Sequence, residues 1–304
     1  MKMKNYLSID IGGTEIKYAQ IDQAGNIIEK GKVSTPDNKA DFLVAVDKIV
    51  KKYTDRIKGL AICAPGKIEG TKIRFGGAIP YLDGIDFGEI YQNQVYPVTV
   101  LNDGKASILA ENWLGSLKGE TNCAALTLGT GVGGGIMVNG HLLQGSHYQA
   151  GEMSFMIVDL THSEKMQGSV GNLCSAVSFV KHVNQKTGYS EINDGIHAFE
   201  EIKSGNEDAI KIFNDYCLNI AALILNMNTV VDINKVAIGG GISAQPILLS
   251  GINQAYDKLV GKMNSIIGQT LVKPEIVAAK FRNDSNLYGA LYNLLLTVDN
   301  ETDY

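Results

Sequence analysis

The chain has 304 residues, of which 45% are hydrophobic and 19% are charged, so it is long and apolar enough to build two cores. Its net charge of −5 argues against nucleic acid as a partner, because a phosphate backbone requires a basic face. No stretch has the apolar length of a membrane span, and the amino terminus lacks a signal-peptide pattern. Four scattered cysteines without metal-ligand spacing indicate reduced, buried thiols, and we therefore expect a cytoplasmic protein.

The first motif is a glycine turn between two predicted strands, residues 6–9 and 15–21. Its sequence is Asp10-Ile11-Gly12-Gly13-Thr14. Glycine permits positive φ and close approach of a ligand, and successive backbone N–H groups can face one anion. The hydroxyl of Thr14 could donate to a phosphate oxygen, and Asp10 could hold a hydrated Mg²⁺. An ordinary tight hairpin with an acid at its mouth explains the same residues.

The same plan recurs later in the chain. Residues 123–128 predict a buried strand, 129–135 a glycine-rich turn, and 136–138 a further strand. Asn139-Gly140 is a favoured two-residue hairpin turn, and residues 141–143 are the returning strand of that hairpin. The first half has the same order, with a turn at 24–26 and a third strand at 27–33. The repeat predicts a duplicated chain that grips the phosphates of a nucleotide between its halves.

Other strand ends of the first half carry polar or glycine residues. The patterns predict a helix over 41–53, strands over 59–64 and 97–101, and a helix over 105–114. Ligands of α/β sheets lie beyond the carboxyl ends of strands. We therefore expect Gly66, Asn102 and Asp103 to lie at the same edge as Asp10, as expected of a functional site.

The second half predicts an irregular segment over 145–171, a buried helix over 206–231, strands over 235–238 and 276–279, and a closing helix over 287–296. Gly239-Gly240-Gly241 could pack against an adenine, or could simply form a strand–helix turn. The five histidines are predicted to be surface or loop residues. We divide the chain into a small lobe, 1–117, on which a closing helix within 287–304 packs, and a large lobe, 118–286.

Taken together, the motifs resemble the ROK (repressor, open reading frame, kinase) family of sugar kinases. The matching stretches are residues 10–17, 102–103, 128–135, 150–152 and 238–243, in the family's order. The resemblance implies an α/β fold with two ribonuclease-H-like halves, the actin/hexokinase-like ATPase fold, with two lobes and a central cleft. It also implies ATP, Mg²⁺, transfer of the γ-phosphoryl group to a sugar hydroxyl, and a homodimer.

The resemblance also assigns roles to residues. Asp103 would be the catalytic base, Asn102 and Gly66 would contact the sugar, and Glu152 would bind it near its anomeric end. ATP and its metal would be bound by Asp10, Gly12, Gly13, Thr14, Thr130, Gly131, Gly240 and Gly241, with Asp10 holding Mg²⁺ through water.

Two departures from the family pattern bear on metal and substrate. The family usually continues Ala-Gly-Glu with x-Gly-His and adds a three-cysteine array, which together bind zinc. Here Met153-Ser154-Phe155 follows Glu152, and Cys174 is the one cysteine between 158 and 175, so we expect no structural zinc. These features, with Pro80-Tyr81-Leu82 in another sugar-facing loop, are most similar to the zinc-less branch that contains β-glucoside kinases. That branch phosphorylates the 6-hydroxyl of the non-reducing glucose of cellobiose-like sugars.

Several other functions stay open. A glucokinase, an N-acetylmannosamine kinase and a fructokinase all use this scaffold. A sugar-sensing ROK regulator would carry a helix-turn-helix before the first motif, whereas only nine residues precede Asp10 here. A chaperone-like ATPase is disfavoured by Asn102, Asp103 and Glu152, because a pure ATPase needs no sugar-binding residues.

Overall fold

The computed structural model describes residues 4–162, 164–262 and 265–302. Two compact units are distinguished by their internal contacts. Unit 1 is the chain up to Lys118, together with Gln144–Ala150 and the chain from Asn283 onward, and unit 2 is Gly119–Leu143 with Gly151–Arg282. This grouping differs from the sequence-based lobes at residue 118, at 144–150 and at 283–286, and that division remains a prediction. Residues 303 and 304 of the predicted closing helix lie outside the described residues.

Strands and helices alternate along both units. In chain order the strands are β1 (Asn5–Ile11), β2 (Glu15–Asp22), β3 (Ile27–Ser34), β4 (Leu60–Ala64), β5 (Lys67–Glu69), β6 (Lys72–Phe75), β7 (Val98–Asn102), β8 (Cys123–Leu128), β9 (Val132–Val138), β10 (His141–Leu142), β11 (Lys235–Gly240) and β12 (Glu275–Ala278). The helices are α1 (Lys39–Tyr53), α2 (Phe87–Ile90), α3 (Asp103–Leu114), α4 (Val170–Leu173), α5 (Ala176–Lys186), α6 (Gly195–Ser204), α7 (Glu207–Val231), α8 (Pro246–Lys262), α9 (Ser265–Thr270) and α10 (Ser285–Thr302).

Unit 1 is built on a five-stranded sheet with the order β3-β2-β1-β4-β7. The first three strands form an antiparallel meander, whereas β1, β4 and β7 are parallel neighbours. All five residues of β4 are buried, as expected of a parallel strand whose two faces are both covered. The carboxyl ends of β1, β4 and β7 therefore lie side by side at one edge of the sheet.

Helix α10 packs against α3 and against strands β1 and β4 in unit 1. A Cβ atom at Gly289 of α10 would lie 1.8 Å from the carbonyl oxygen of Ala106 in α3, so this approach requires glycine. Ser8 of β1 donates a hydrogen bond of 2.7 Å to the carbonyl of Leu287. The end of the chain is thereby fixed beside the edge of the sheet that carries Asp10.

Unit 2 repeats the topology of unit 1. Its sheet has the order β10-β9-β8-β11-β12, again with an antiparallel meander followed by parallel neighbours. The correspondence confirms the predicted duplication. Helix α7 buries one face, including Ile220, Leu223 and Ile224, but the helix as a whole is less buried than its apolar composition predicted, since Leu218 and Val230 are exposed.

The second glycine-rich segment differs from the prediction. Strand β9 already begins at Val132, so Gly133–135 belong to the strand and the turn is limited to residues 129–131. The register explains Gly134, because this residue lies opposite Leu126 and a Cβ there would be 2.1 Å from the Ala125 carbonyl oxygen.

The four cysteines are free and buried, as predicted. No helix in the described part of the chain combines the length and apolar character that crossing a membrane requires.

Candidate active site

Four of the predicted site residues of unit 1 lie at the carboxyl edge of its sheet. Asp10 is the penultimate residue of β1, Gly66 follows β4, and Asn102 ends β7 with Asp103 directly after it. The Asn102 amide donates a hydrogen bond of 2.8 Å to the carbonyl of Gly66, which ties two of these strand ends together. The sheet thus brings the three strand ends together, as the sequence suggested.

Asn102 caps the helix that begins with Asp103. Its Oδ1 accepts hydrogen bonds from the backbone N–H groups of Gly104 and Lys105, at 2.9 and 3.3 Å. Such a cap satisfies N–H groups that have no partner within the helix. Because the same side chain also donates to the carbonyl of Gly66, Asn102 connects the start of α3, at Asp103, to the segment that follows β4.

Asp103 is an exposed carboxylate at the amino terminus of α3. Although the residue is accessible to solvent, the protein atoms around its carboxyl group remove part of its hydration and so raise its pKa, and the hydrogen bond from the N–H of Gly104, at 2.8 Å, opposes that shift in part. The ionised form is a stronger base than an ordinary aspartate. An accessible carboxylate of raised basicity is suited to accept a proton from a hydroxyl group.

Asp10 is 7% exposed and has two partners in unit 1. Its Oδ1 accepts a 3.0 Å hydrogen bond from Asn286 of α10, and its Oδ2 lies 3.9 Å from the ammonium of Lys17. Burial raises the pKa of Asp10, while Asn286 and then Lys17 lower it and Asp103 raises it further. Asn286 was not predicted from the sequence, since it lies 276 positions from Asp10 and belongs to no motif.

The surroundings of Asp10 fit a hydrated Mg²⁺ better than a directly ligated ion. Oδ2 has no hydrogen-bond donor among the described residues within normal reach, so it can accept from a metal-bound water. The described part of the chain contains no group of three or more His, Cys, Asp or Glu side chains that could hold a metal ion. Mg²⁺ usually keeps several waters and uses one or two carboxylates, which matches this arrangement.

The first glycine turn, residues 12–14, is closed by the N–H of Gly12, which donates to the carbonyl of Glu15 at 3.1 Å. The hydroxyl of Thr35 donates to the carbonyl of Gly12 at 2.6 Å. Neither glycine has positive φ, so of the two reasons for glycine that the sequence suggested, only close approach of a ligand remains. A Cβ at Gly13 would meet nothing within 4 Å, and the Thr14 side chain is exposed. Neither backbone conformation nor packing therefore explains Gly13.

The second glycine turn, residues 129–131, lies in unit 2. The N–H of Gly129 donates to the carbonyl of Gly131 at 2.9 Å, and the Gly129 carbonyl accepts from the N–H of Ala176 at 2.8 Å. Thr130, at the tip, is exposed. A Cβ at Gly129 would again meet nothing within 4 Å, so this turn too leaves free space beside its backbone.

Different physical reasons account for glycine at positions 240 and 241. Gly240 has φ +100°, and a Cβ there would lie 2.1 Å from the Leu128 carbonyl oxygen, so the fold itself requires this glycine. Gly241 has no positive φ, and a Cβ there would meet no atom within 4 Å. Helix α8 begins at Pro246.

Glu152 stands in a turn that we call the Glu152 turn, residues 151–155. Residues Met153–Phe155 form one 3₁₀ turn, in which the N–H of Phe155 donates to the carbonyl of Glu152 at 3.2 Å. Glu152 is exposed, Phe155 is 68% exposed and Met153 is buried. The turn therefore exposes the Glu152 carboxylate and the Phe155 ring, while the buried Met153 side chain anchors it to the protein.

Comparison with known proteins decides the family. Residues 6–296 match the family model described as ROK family. The chain belongs to the ROK family.

A crystallised ROK family protein of Streptococcus pneumoniae, in complex with sucrose, is 30% identical and superposes with a TM-score of 0.88 over 97% of this chain and 99% of its own. A β-glucoside kinase of Listeria monocytogenes is 26% identical over 95% of this chain and 96% of its own. A glucokinase of Halalkalibacterium halodurans is 28% identical over 83% of this chain and 85% of its own.

ROK membership agrees with the duplicated sheets and confirms the predicted actin/hexokinase-like fold.

The predicted surface position of the histidines is wrong for His197. This residue is half-buried on α6, stacks on Tyr189 with ring centroids 3.6 Å apart, and contacts Asn184 Oδ1 at 3.0 Å.

In this ROK protein, the segment from Met156 to Val170 is closed by backbone hydrogen bonds. The N–H of Val158 donates to the carbonyl of Gly168 at 3.0 Å, and that of Val170 to the carbonyl of Met156 at 2.8 Å. Burial raises the pKa of Cys174 to about 12, which disfavours the thiolate form that binds zinc.

We expect metal analysis of the purified protein, by inductively coupled plasma mass spectrometry, to show no stoichiometric zinc. Chelation should leave the melting temperature unchanged, because backbone hydrogen bonds close the loop. One tightly bound zinc per chain, lost together with stability on chelation, would contradict this prediction.

Proposed function

We propose that this ROK protein is an ATP-dependent sugar kinase whose acceptor is the 6-hydroxyl of the non-reducing glucose of a β-glucoside such as cellobiose. The observation that carries the proposal is the setting of Asp103 in unit 1. Its carboxylate is exposed and of raised basicity, and the Asn102–Gly66 hydrogen bond holds it at the strand edge that also carries Asp10.

Phosphoryl transfer requires little covalent chemistry from the protein, because positioning and neutralisation of charge supply most of the rate. The attacking sugar hydroxyl loses a proton as its bond to phosphorus forms, and Asp103 is the group proposed to accept it. A hydrated Mg²⁺ held through Asp10 would supply positive charge to the phosphate oxygens. Asn102 and Gly66 would orient the sugar beside Asp103.

The glycine turns are proposed to bind ATP. Gly13 and Gly241 need neither positive φ nor space for a neighbouring protein atom, so close approach of a ligand remains as the physical reason for glycine. Exposed hydroxyls at Thr14 and Thr130 can donate to phosphate oxygens, and turn N–H groups favour anions. The residues proposed to bind ATP are therefore Gly12, Gly13, Thr14, Thr130, Gly131, Gly240 and Gly241.

Preference for a β-glucoside rests on the Glu152 turn. Glu152 would bind ring hydroxyls of the sugar, and the 68%-exposed ring of Phe155 offers an apolar face to a second sugar or aglycone. Tyr81 does not share this role, because its hydroxyl donates to the carbonyl of Pro36 and its ring packs on Phe42 at 5.8 Å. The Listeria relative named as a β-glucoside kinase supports the same preference.

We expect kcat/KM for cellobiose or gentiobiose to exceed that for glucose. An apolar contact of this kind is worth on the order of 1–3 kcal/mol, or about 10–200-fold. The measurement is initial rates of ADP release at subsaturating sugar with ATP in excess. Glucose or N-acetylmannosamine exceeding every β-glucoside by about tenfold or more would contradict the proposed acceptor.

A matched pair of variants isolates the aromatic ring. Phe155→Ala should reduce the advantage of the disaccharide over glucose. Leu160→Ala removes another exposed apolar side chain, 81% accessible and five residues further on, and should leave the ratio unchanged. An unchanged ratio in Phe155→Ala would show that the ring does not set specificity.

A glucokinase is the second candidate, favoured by the relative with that name and tested in the same sugar panel. The proposal places the enzyme in the cytoplasm and includes the homodimer that the resemblance implies, which analytical ultracentrifugation would detect.

A further inference from the structure

Ser154 joins the Glu152 turn to the second glycine turn within unit 2. Its hydroxyl accepts a 2.9 Å hydrogen bond from the N–H of Val132 and donates a 3.1 Å hydrogen bond to the carbonyl of the same residue. Val132 directly follows Gly131 and is the first residue of β9. One side chain thus bonds both backbone groups at the point where the second glycine turn enters the sheet.

The space around Ser154 is shaped by two glycines. A Cβ at Gly131 would lie 2.9 Å from the Ser154 oxygen, and a Cβ at Gly171 of α4 would lie 3.0 Å from the Ser154 Cβ. Larger residues at either position would push the serine away from Val132. The fold therefore places this hydroxyl closely between the second glycine turn and α4.

Backbone hydrogen bonds close the Glu152 turn on both sides of Ser154. The N–H of Met153 donates to the carbonyl of Gly151 at 2.8 Å, and the N–H of Met156 donates to the carbonyl of Met153 at 3.0 Å. The buried Met153 side chain lies against β9, since its Cε would be 2.9 Å from a Cβ at Gly134. The Glu152 turn is therefore joined to β9 through the packing of Met153 and the hydrogen bonds of Ser154.

We propose that Ser154 is a positioning residue that couples acceptor binding at Glu152 to the conformation of the second glycine turn, residues 129–131. The inference rests on the proposed function, in which the Glu152 turn binds sugar and the second glycine turn binds ATP phosphate. Sugar binding stiffens the Glu152 turn, and Ser154 transmits this order to Val132 and Gly131. Linkage then requires that ATP phosphates raise the affinity for sugar by the same factor.

Hydrogen–deuterium exchange on the full chain tests the coupling. Saturating cellobiose, without nucleotide, should slow exchange in wild-type peptides covering both 151–156 and 129–135. In Ser154→Ala, and in Ser154→Gly as a second variant, protection should persist at 151–156 and be lost at 129–135. Ser169→Ala is the control, since Ser169 caps α4 through the N–H of Asn172 and lies outside the link.

A binding measurement gives the reciprocal readout. Cellobiose should raise the affinity for a non-hydrolysable ATP analogue by about fivefold or more in wild type and in Ser169→Ala. In Ser154→Ala, cellobiose should change the affinity for the ATP analogue by less than about twofold. Coupling retained in Ser154→Ala, or lost equally in Ser169→Ala, would overturn the inference.

These outcomes are distinct from failure of the proposed function. Sugar binding without protection at 129–135 in wild type overturns the coupling alone. Binding and coupling without phosphoryl transfer contradict the kinase assignment and leave the coupling standing. Absence of protection by cellobiose, glucose and N-acetylmannosamine contradicts both.

Discussion

Replacement of Asp103 by Asn is expected to lower kcat by about 10²–10⁴-fold while sugar binding survives. Asn keeps the size of the side chain and can still accept the hydrogen bond from the N–H of Gly104, but it cannot accept the hydroxyl proton. Initial rates of ADP release and calorimetric sugar binding would check the two parts. Near-full kcat in Asp103→Asn would remove Asp103 from the role of base.

A stability measurement separates loss of the base from damage to the fold. The folded-state pKa of Asp103 is raised by burial, so the folded protein binds more protons than the unfolded chain and stability falls as pH rises through that range. Removing the ionised group should therefore not lower the melting temperature at neutral pH. Asp208→Asn removes an exposed first-turn carboxylate of α7 and should leave kcat unchanged.

Gly66→Ala is expected to destabilise the protein and to lower kcat/KM by about 100-fold or more. Gly66 has φ +88°, and a Cβ there would lie 1.9 Å from the Phe75 carbonyl oxygen, so the backbone must move. Left-handed strain of about 1–2 kcal/mol adds to an overpacking cost of about 1–3 kcal/mol. The shift would displace the carbonyl that Asn102 holds, and misplacement near a reacting centre by 1 Å can cost about 100-fold.

Gly70→Ala is the matched control for this variant. Gly70 also has positive φ, +63°, but a Cβ there meets nothing within 4 Å. It should cost only the strain and leave kcat/KM nearly intact. Chemical denaturation and steady-state kinetics of both variants give the comparison. Equal losses in the two would show that the contact between Gly66 and Phe75 does not position the site.

The sequence predicted those parts of the site that local patterns encode. The repeated strand–turn–strand order indicated the sheet topology, and a strand ending in Asn102 before a helix placed Asp103 at the carboxyl edge. Asn286 could not be predicted in this way, because its contact with Asp10 depends on how α10 packs on the sheet.

Tertiary contacts also explain the other errors. Helices α5 and α6 were not predicted, and they are tied together by Asn184, a buried amide that donates to the carbonyls of Glu191, Ile192 and Asp194. The Asn184 side chain also contacts His197, which explains why this histidine is half-buried and not at the predicted surface position. For the glycines at 12 and 13 the sequence suggested two reasons, positive φ and close approach of a ligand, and it could not distinguish them; the structure excludes positive φ.

The decisive experiment measures ADP and phosphorylated sugar in the same reaction, with cellobiose, ATP and Mg²⁺. We predict one ADP for each disaccharide phosphate detected by mass spectrometry, with both products lost together in Asp103→Asn. ADP released at the same rate without sugar, or sugar phosphate formed equally well by Asp103→Asn, would contradict the proposal that Asp103 directs phosphoryl transfer to a sugar.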